Sequence, residues 1–309
     1  MPVAISRDGA YVAQLAFKVV KGPDFQRTEN IGVQVWELAT LLPVARLETG
    51  PLAHLAFTPD SRHLITAGPE TLQLWDIASA KVLTQRKAPA RVRGSYGDSF
   101  VSSMALAPDG RTVATGRVDS TILLWDLPTP VSNRPAAPMK ADQLAAWWND
   151  LADADAGRAF AAIAHLADVP KQALEFMRDR LHPVKAPSSE ELGRLIADLN
   201  SPQFPRRESA TKQLSELGEL ADAALRMALA KTPPLEAQRR IETLLARPFL
   251  ARTSEARRNL RAVRVMEAIG APNAQDLLKR LATGAPEARL TQEAKAALDR
   301  LAKKSVAAP

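Results

Sequence analysis

Cysteine is absent from the 309 residues. Disulfides, thiolate nucleophiles and Cys-based zinc or iron–sulfur sites are therefore excluded together. Histidine is scarce: His54, His63, His165 and His182 are the only four. They form neither an H-x-x-x-H nor an H-E-x-x-H pair, so no metal centre is expected. No apolar stretch approaches the ~18 residues of a membrane-spanning helix. The opening MPVAISRDGAYVAQ has neither the basic and apolar regions nor the cleavage site of a secretory signal. As written, the chain is expected to stay in the cytoplasm. Neither G-x-S-x-G nor a P-loop occurs, and the serines fall in turns and at helix starts. These absences predict no enzyme and no cofactor.

Acidic residues are also in deficit, leaving a net charge of +7. The excess is shared, with 15 basic against 12 acidic residues up to position 140 and 26 against 22 after it. Such an even spread gives only a weak general argument for an acidic partner.

What the sequence does contain divides in two. Up to about residue 127 the apolar runs are short, often alternating, and separated by turn signals. From about 141 the pattern is long, rich in Ala, Leu, Arg and Glu, and helical in period. Between them, Pro128, Pro130, Pro135 and Pro138 break both ladder and helix, which predicts an extended linker over 128–140. The expected domains are therefore 1–127, the linker, and 141–305.

The first part repeats itself. SRDG (6–9), TPDS (58–61) and APDG (107–110) are polar turns, each leading into a short apolar run. Each run is followed by a strand ending in Trp and an acid: VQVWEL (33–38), LQLWDI (72–77) and ILLWDL (122–127). Trp36, Trp75 and Trp125 recur at intervals of 39 and 50 residues, and a period of about 40–45 carrying Trp-Asp is a propeller-blade signature.

These residues resemble WD40 repeats over 1–127. The resemblance implies that Trp75–Asp76 and Trp125–Asp126 close the third strand of their blades. It makes Asp119 the turn aspartate between second and third strands, with Glu70 in that place one repeat earlier. Trp36 is followed by Glu37 instead of Asp, and the usual Gly-His dipeptide is missing; ETGPLAH offers only Gly50 and His54. Each Trp is expected to pack inside its blade, with its indole N–H bonded. Asp76 and Asp126 are expected to serve turns. The first blade is expected to begin at the end of its first strand and the third to lack its fourth. Propellers close with about four to eight blades, so the expectation is a C-terminal portion of a longer propeller protein. Completion by another chain, including self-association, is the alternative.

In the second part about ten helices can be bounded by their caps. S-x-x-E at Ser188–Glu191 is a capping box, Asp168 precedes Pro170, and Gly218 and Gly270 end helices. FPRRESATKQLSELG followed by ELADAALRMALA resembles a HEAT-type repeat. The predicted fold is thus a partial WD40 β-propeller followed by an all-α, HEAT-like domain of helical hairpins. That arrangement resembles bacterial WD40 proteins typical of planctomycetes and implies a non-catalytic, protein-binding scaffold.

Two candidate interaction surfaces follow. Trp147 and Trp148 lie about 100° apart on one helix, so one is expected to enter the core and the other to dock on the propeller or a partner. Arg257, Arg261 and Arg264 stand at i, i+4 and i+7, with Arg247, Arg252 and Arg258 nearby. Such a face suits phosphates, which makes a nucleic-acid-binding α-solenoid the rival reading. A gene fragment without independent function is a third.

Overall fold

The computed structural model describes residues 2–21, 26–89, 101–128, 139–246 and 253–306. Its first part holds three antiparallel sheets, each in simple up-and-down order. Blade 1 comprises β1 (Val3–Ile5), β2 (Tyr11–Lys21), β3 (Gln26–Glu37) and β4 (Leu42–Leu47). Blade 2 comprises β5 (His54–Phe57), β6 (His63–Ala67), β7 (Thr71–Asp76) and β8 (Lys81–Lys87). Blade 3 has three strands, β9 (Val101–Leu106), β10 (Thr112–Arg117) and β11 (Ile122–Asp126). This is a partial propeller, with blade 3 lacking a fourth strand among the described residues. The first blade is fuller than expected, because Val3–Ile5 pair with Val12–Gln14 as a short first strand. The insertion at 18–30 lengthens the β2–β3 hairpin, which pairs out to Lys21 and Gln26. The insertion at 91–100 lies outside the described residues.

The alternating apolar pattern turns one face of each sheet toward its neighbour. Val33 and Val35 of blade 1 share a core with Leu55, Phe57, Leu64 and Trp75 of blade 2. Ile65, Leu72 and Leu74 of blade 2 share another with Val101 and Val113 of blade 3. Strand β6 is buried along its whole length because blades cover it from both sides.

The turns repeat with the strands. Gly9 and Gly110 take positive φ in the turns between first and second strands, at 67° and 70°, and Ser61 takes the same place in blade 2 at 58°.

Ten helices follow among the described residues: α1 (Ala141–Asp150), α2 (Ala156–Ala167), α3 (Pro170–Arg178), α4 (Ser189–Asp198), α5 (Phe204–Leu217), α6 (Glu219–Leu229), α7 (Leu235–Leu245), α8 (Ser254–Ile269), α9 (Pro272–Leu281) and α10 (Arg289–Val306). Asp155 caps α2 by accepting from Gly157 and Arg158 N–H, and Ser188 caps α4 by accepting from Glu191 N–H. Gly218, at φ 55°, alone separates α5 from α6.

Packing groups these elements into two compact units, Met1–Ala173 with Arg252–Ile269, and Leu174–Ala251 with Gly270–Pro309. The change from strand to helix period marks where the sheets stop; it does not mark where packing stops. In the first unit α2 lies on β4 and α8, so close that a Cβ at Gly157 would stand 2.5 Å from the Val44 carbonyl oxygen. In the second, Leu195, Leu214, Leu225 and Ile241 join α4, α5, α6 and α7 in one core.

Candidate interaction surfaces

The blade motif residues bond inward. Trp75 Nε1 donates to Thr66 Oγ1 at 3.0 Å and Trp125 Nε1 to Thr115 Oγ1 at 2.8 Å. Trp36 departs from the expectation, since its buried Nε1 has no hydrogen-bond partner. Register explains why. Thr66 and Thr115 lie two residues beyond the partners of their Trp, and in blade 1 that place belongs to Gln14, which points to solvent.

Asp76, Asp119 and Glu37 each hold a turn, whereas the expected turn bond of Asp126 is not seen among the described residues. Asp76 accepts from Ser79 N–H and Oγ–H, and Asp119 from Thr121 N–H and Oγ1–H. The Thr121 hydroxyl and N–H hold the Asp119 carboxyl below its usual value. Asp126 is exposed at the end of β11, opposite Thr112. Glu37 occupies the place of Asp76 in blade 1 and likewise accepts from the hydroxyl three residues on, Thr40 Oγ1, at 2.6 Å.

Glu37 also has a distant partner. Arg261 of α8 is buried, and its Nε and Nη2 reach the two Glu37 oxygens at 2.8 and 2.7 Å. Its Nη1 donates to the carbonyls of Leu151 and Asp153, just past the end of α1. On the same helix face, Arg257 Nε donates to Ala152 O and Arg264 Nη1 to Asp8 O, both at 3.0 Å. The i, i+4, i+7 alignment read from the sequence is therefore real, but its partners are the turns of blade 1 and the end of α1. Arg261 is not an open cationic surface. Arg258 lies over the Trp148 ring, 5.4 Å from its centre. Arg247 and Arg252 lie outside the described residues.

Of the tryptophan pair, Trp148 is buried while Trp147 is half-exposed and stacks on His165 at 4.9 Å. Nearby, Tyr11 meets Phe160 of α2 edge to face. Burial, and then the charges of Glu37 and Asp8, push the Tyr11 phenol well above its ordinary range.

Two further links were not foreseen. Arg62, in the first turn of blade 2, forms two bonds to Asp168 at the end of α2. Beside it, His63 Nδ1 lies 2.9 Å from Asp60. Burial raises the Asp60 carboxyl, but hydrogen bonding to His63, the charge of His63, and bonds from Thr58 and Arg62 N–H outweigh it and hold it at about 2. Nothing local in the sequence announced the Asp168 contact, 106 residues away. The His63 pairing had a signal in its i, i+3 spacing from Asp60.

In the second unit, an open groove of about 460 Å³ is lined by Glu219, Asp222, Arg226, Glu287 and Glu293, among others. Burial raises the Asp222 carboxyl, opposed by Arg226 and aided by Glu219. Among the described residues no cluster of three or more metal-ligating side chains occurs, and no helix is long and apolar enough to cross a membrane. Large apolar side chains stand exposed at Val3 and Ile5 of blade 1 and at Ile122 and Leu124 of blade 3.

Residues 89–126, which include blade 3, match the family model for the WD domain, G-beta repeat. The small ribosomal subunit protein RACK1y of Oryza sativa subsp. japonica is 27% identical over 92 residues, which cover 29% of this chain and 27% of that protein. The small ribosomal subunit protein RACK1 of Brassica napus is 25% identical over 107 residues, which cover 31% of this chain and 33% of that protein. The chain thus spans only about a quarter to a third of the length of these relatives.

Proposed function

We propose that this chain is a non-catalytic scaffold that binds other proteins, combining WD40-type blades over 1–127 with a HEAT-like helical region over 141–305. The observation that carries the reading is the division of labour in the blades. Trp75, Trp125, Asp76 and Asp119 are engaged in holding their blades and turns, whereas the apolar side chains of Ile122 and Leu124 in blade 3 face outward. Exposed apolar surface of this kind marks association sites. The match to a WD repeat agrees with this, and so does the similarity to relatives whose names place them in the small ribosomal subunit.

The test is direct. The immobilised chain is exposed to an extract of its own cells, and each retained protein is purified and titrated back by calorimetry. A saturable interaction of fixed stoichiometry is expected, and no partner that titrates would count against the reading. The alternative is a nucleic-acid-binding α-solenoid using the Arg-rich face around 247–264, where Arg257, Arg261 and Arg264 also bond within the first unit. A salt-dependent mobility shift with generic DNA or RNA would favour it.

A further inference from the structure

Blades 1 and 2 carry the same irregularity on their outer strands. In blade 1, Ala45 lies opposite Val35 and Pro43 opposite Trp36, so Val44 is an extra residue that bulges from β4. In blade 2, Thr84 lies opposite Leu74 and Val82 opposite Trp75, so Leu83 bulges from β8 at the equivalent place. A bulge bends its strand and re-aims the side chain there. The two bulges differ in what covers them. Val44 is 9% exposed because the start of α2 sits on it: Ala156 and Phe160 share its core, and Gly157 passes against its carbonyl. Leu83 is 48% exposed, and Val82 beside it 38%.

The far end of α2 is held by the next blade, where Arg62 bonds Asp168. Arg62 also has an equivalent, Arg111 in blade 3. Asp60 accepts from Arg62 N–H as Asp109 does from Arg111 N–H. The Arg62 and Arg111 carbonyls in turn accept from Ile77 and Leu127 N–H. The seat that α2 fills across blades 1 and 2 has a bulge at one end and an arginine at the other. It is repeated across blades 2 and 3, where Leu83 and Arg111 are open to solvent.

We propose that this second seat takes an amphipathic α-helix of a partner protein, acidic on the side that meets β8. The seated α2 supplies the form of the occupant. Its 12 residues span about 18 Å, and it reaches the bulge only because Gly157 has no side chain there. The partner helix therefore needs a glycine in its first turn and a carboxylate at its far end, on Arg111. The charge of the seat supplies the rest. Lys81 and Arg86 stand in β8 where β4 has Leu42 and Leu47. Lys87 follows, and β8 carries no acid. Complementary charge speeds encounter and selects among partners, so this seat favours an acidic helix where its neighbour holds a mostly apolar one. The proposal rests on the scaffold reading and deepens it by naming the surface and the form of the partner.

The probe is a fluorescein-labelled peptide of residues 153–169 carrying Arg158→Glu, which keeps the glycine and Asp168 and loses its arginine. Its binding to the full chain is followed by fluorescence anisotropy at low salt. Saturable binding of one peptide per chain is expected, and Leu83→Asp and Arg111→Glu should each weaken it about tenfold. A second peptide, which also carries Asp168→Lys, should bind Arg111→Glu better than wild type. That exchange of charges also shows that the variant is folded. No saturable binding, no loss in Leu83→Asp, or no recovery in the exchange would each overturn the proposal. So would a loss in Arg62→Glu with none in Arg111→Glu, since the peptide would then be displacing α2. A protein retained from the extract that titrates equally well on wild type and Leu83→Asp removes this proposal and leaves the scaffold reading standing. Peptide binding as expected, with no retained protein that titrates, removes the scaffold reading alone.

Discussion

Arg261 and Glu37, 224 residues apart, meet in a doubly bonded ion pair whose side chains are almost wholly withdrawn from water. Removing one member of a buried pair strands the other, which costs about 3–5 kcal/mol. Arg261→Met is therefore expected to destabilise the first unit by about that amount. Joint replacement, Glu37→Leu with Arg261→Met, should recover much of the loss. All five tryptophans fall in residues 36–148, so urea unfolding followed by tryptophan fluorescence reads this unit alone.

The unpartnered Trp36 N–H offers a gain. Gln14→Thr places a hydroxyl where Thr66 and Thr115 stand in the other blades, and one new buried hydrogen bond stabilises by roughly 1 kcal/mol. Thr66→Val is the mirror experiment. It leaves Trp75 Nε1 unsatisfied and should lower stability by about 1–3 kcal/mol. Equal effects from the two substitutions would contradict the register comparison.

Ala80 follows Asp76 by four residues, as Leu41 follows Glu37, and both sit at positive φ, 53° and 57°. The left-handed region costs a non-glycine residue roughly 1–2 kcal/mol. Glycine's extra unfolded-state freedom offsets about half of that. Ala80→Gly, at an exposed position that loses no packing, should therefore raise the unfolding midpoint slightly.

Gly157 decides a contest in the opposite direction. Alanine is favoured over glycine inside a helix by about 1 kcal/mol, yet a Cβ here would collide with Val44 O. The backbone carbonyl cannot swing away, and overpacking costs about 1–3 kcal/mol. Gly157→Ala is expected to destabilise the first unit and to speed amide exchange at the start of α2.

Acid should loosen blade 2 through Asp60. Its carboxyl is held at about 2 in the folded chain, below the ordinary 3.8. A lowered carboxyl contributes stability that is complete above its ordinary value and fades as pH falls toward the folded one. The unfolding midpoint is thus expected to drop between about pH 4 and pH 2, and Asp60→Asn should flatten that drop.

The repeats and the helix caps were legible because they are local, whereas most of the proline-rich stretch over 128–140 lies outside the described residues. A strand ending in Trp-Asp carries its own turn chemistry, and Ser188 meets Glu191 N–H within three residues. The facing of Arg257, Arg261 and Arg264 was also legible, since helical periodicity sets it. Their partners were not, because a guanidinium aligned on a helix looks the same whether it awaits water, phosphate or a carboxylate. Only the fold places Glu37 there. Trp36 was misjudged for a related reason: its N–H depends on the residue two places beyond its cross-strand partner, and that residue is identified only once register is known.

The return of α8 to blade 1 also has a consequence in time. At roughly 5–20 residues per second during synthesis, Arg261 emerges about 10–45 seconds after Glu37. The blades can pair as they leave the ribosome and α2 can follow them, but the cover from α8 must wait while α4, α5, α6 and α7 of the second unit are made. Until then Glu37 keeps its water, and Asp8 O and the carbonyls after α1 lack the donors that later hold them. A nascent chain stalled before α8 should expose these turns to proteases that cannot cut them in the finished protein.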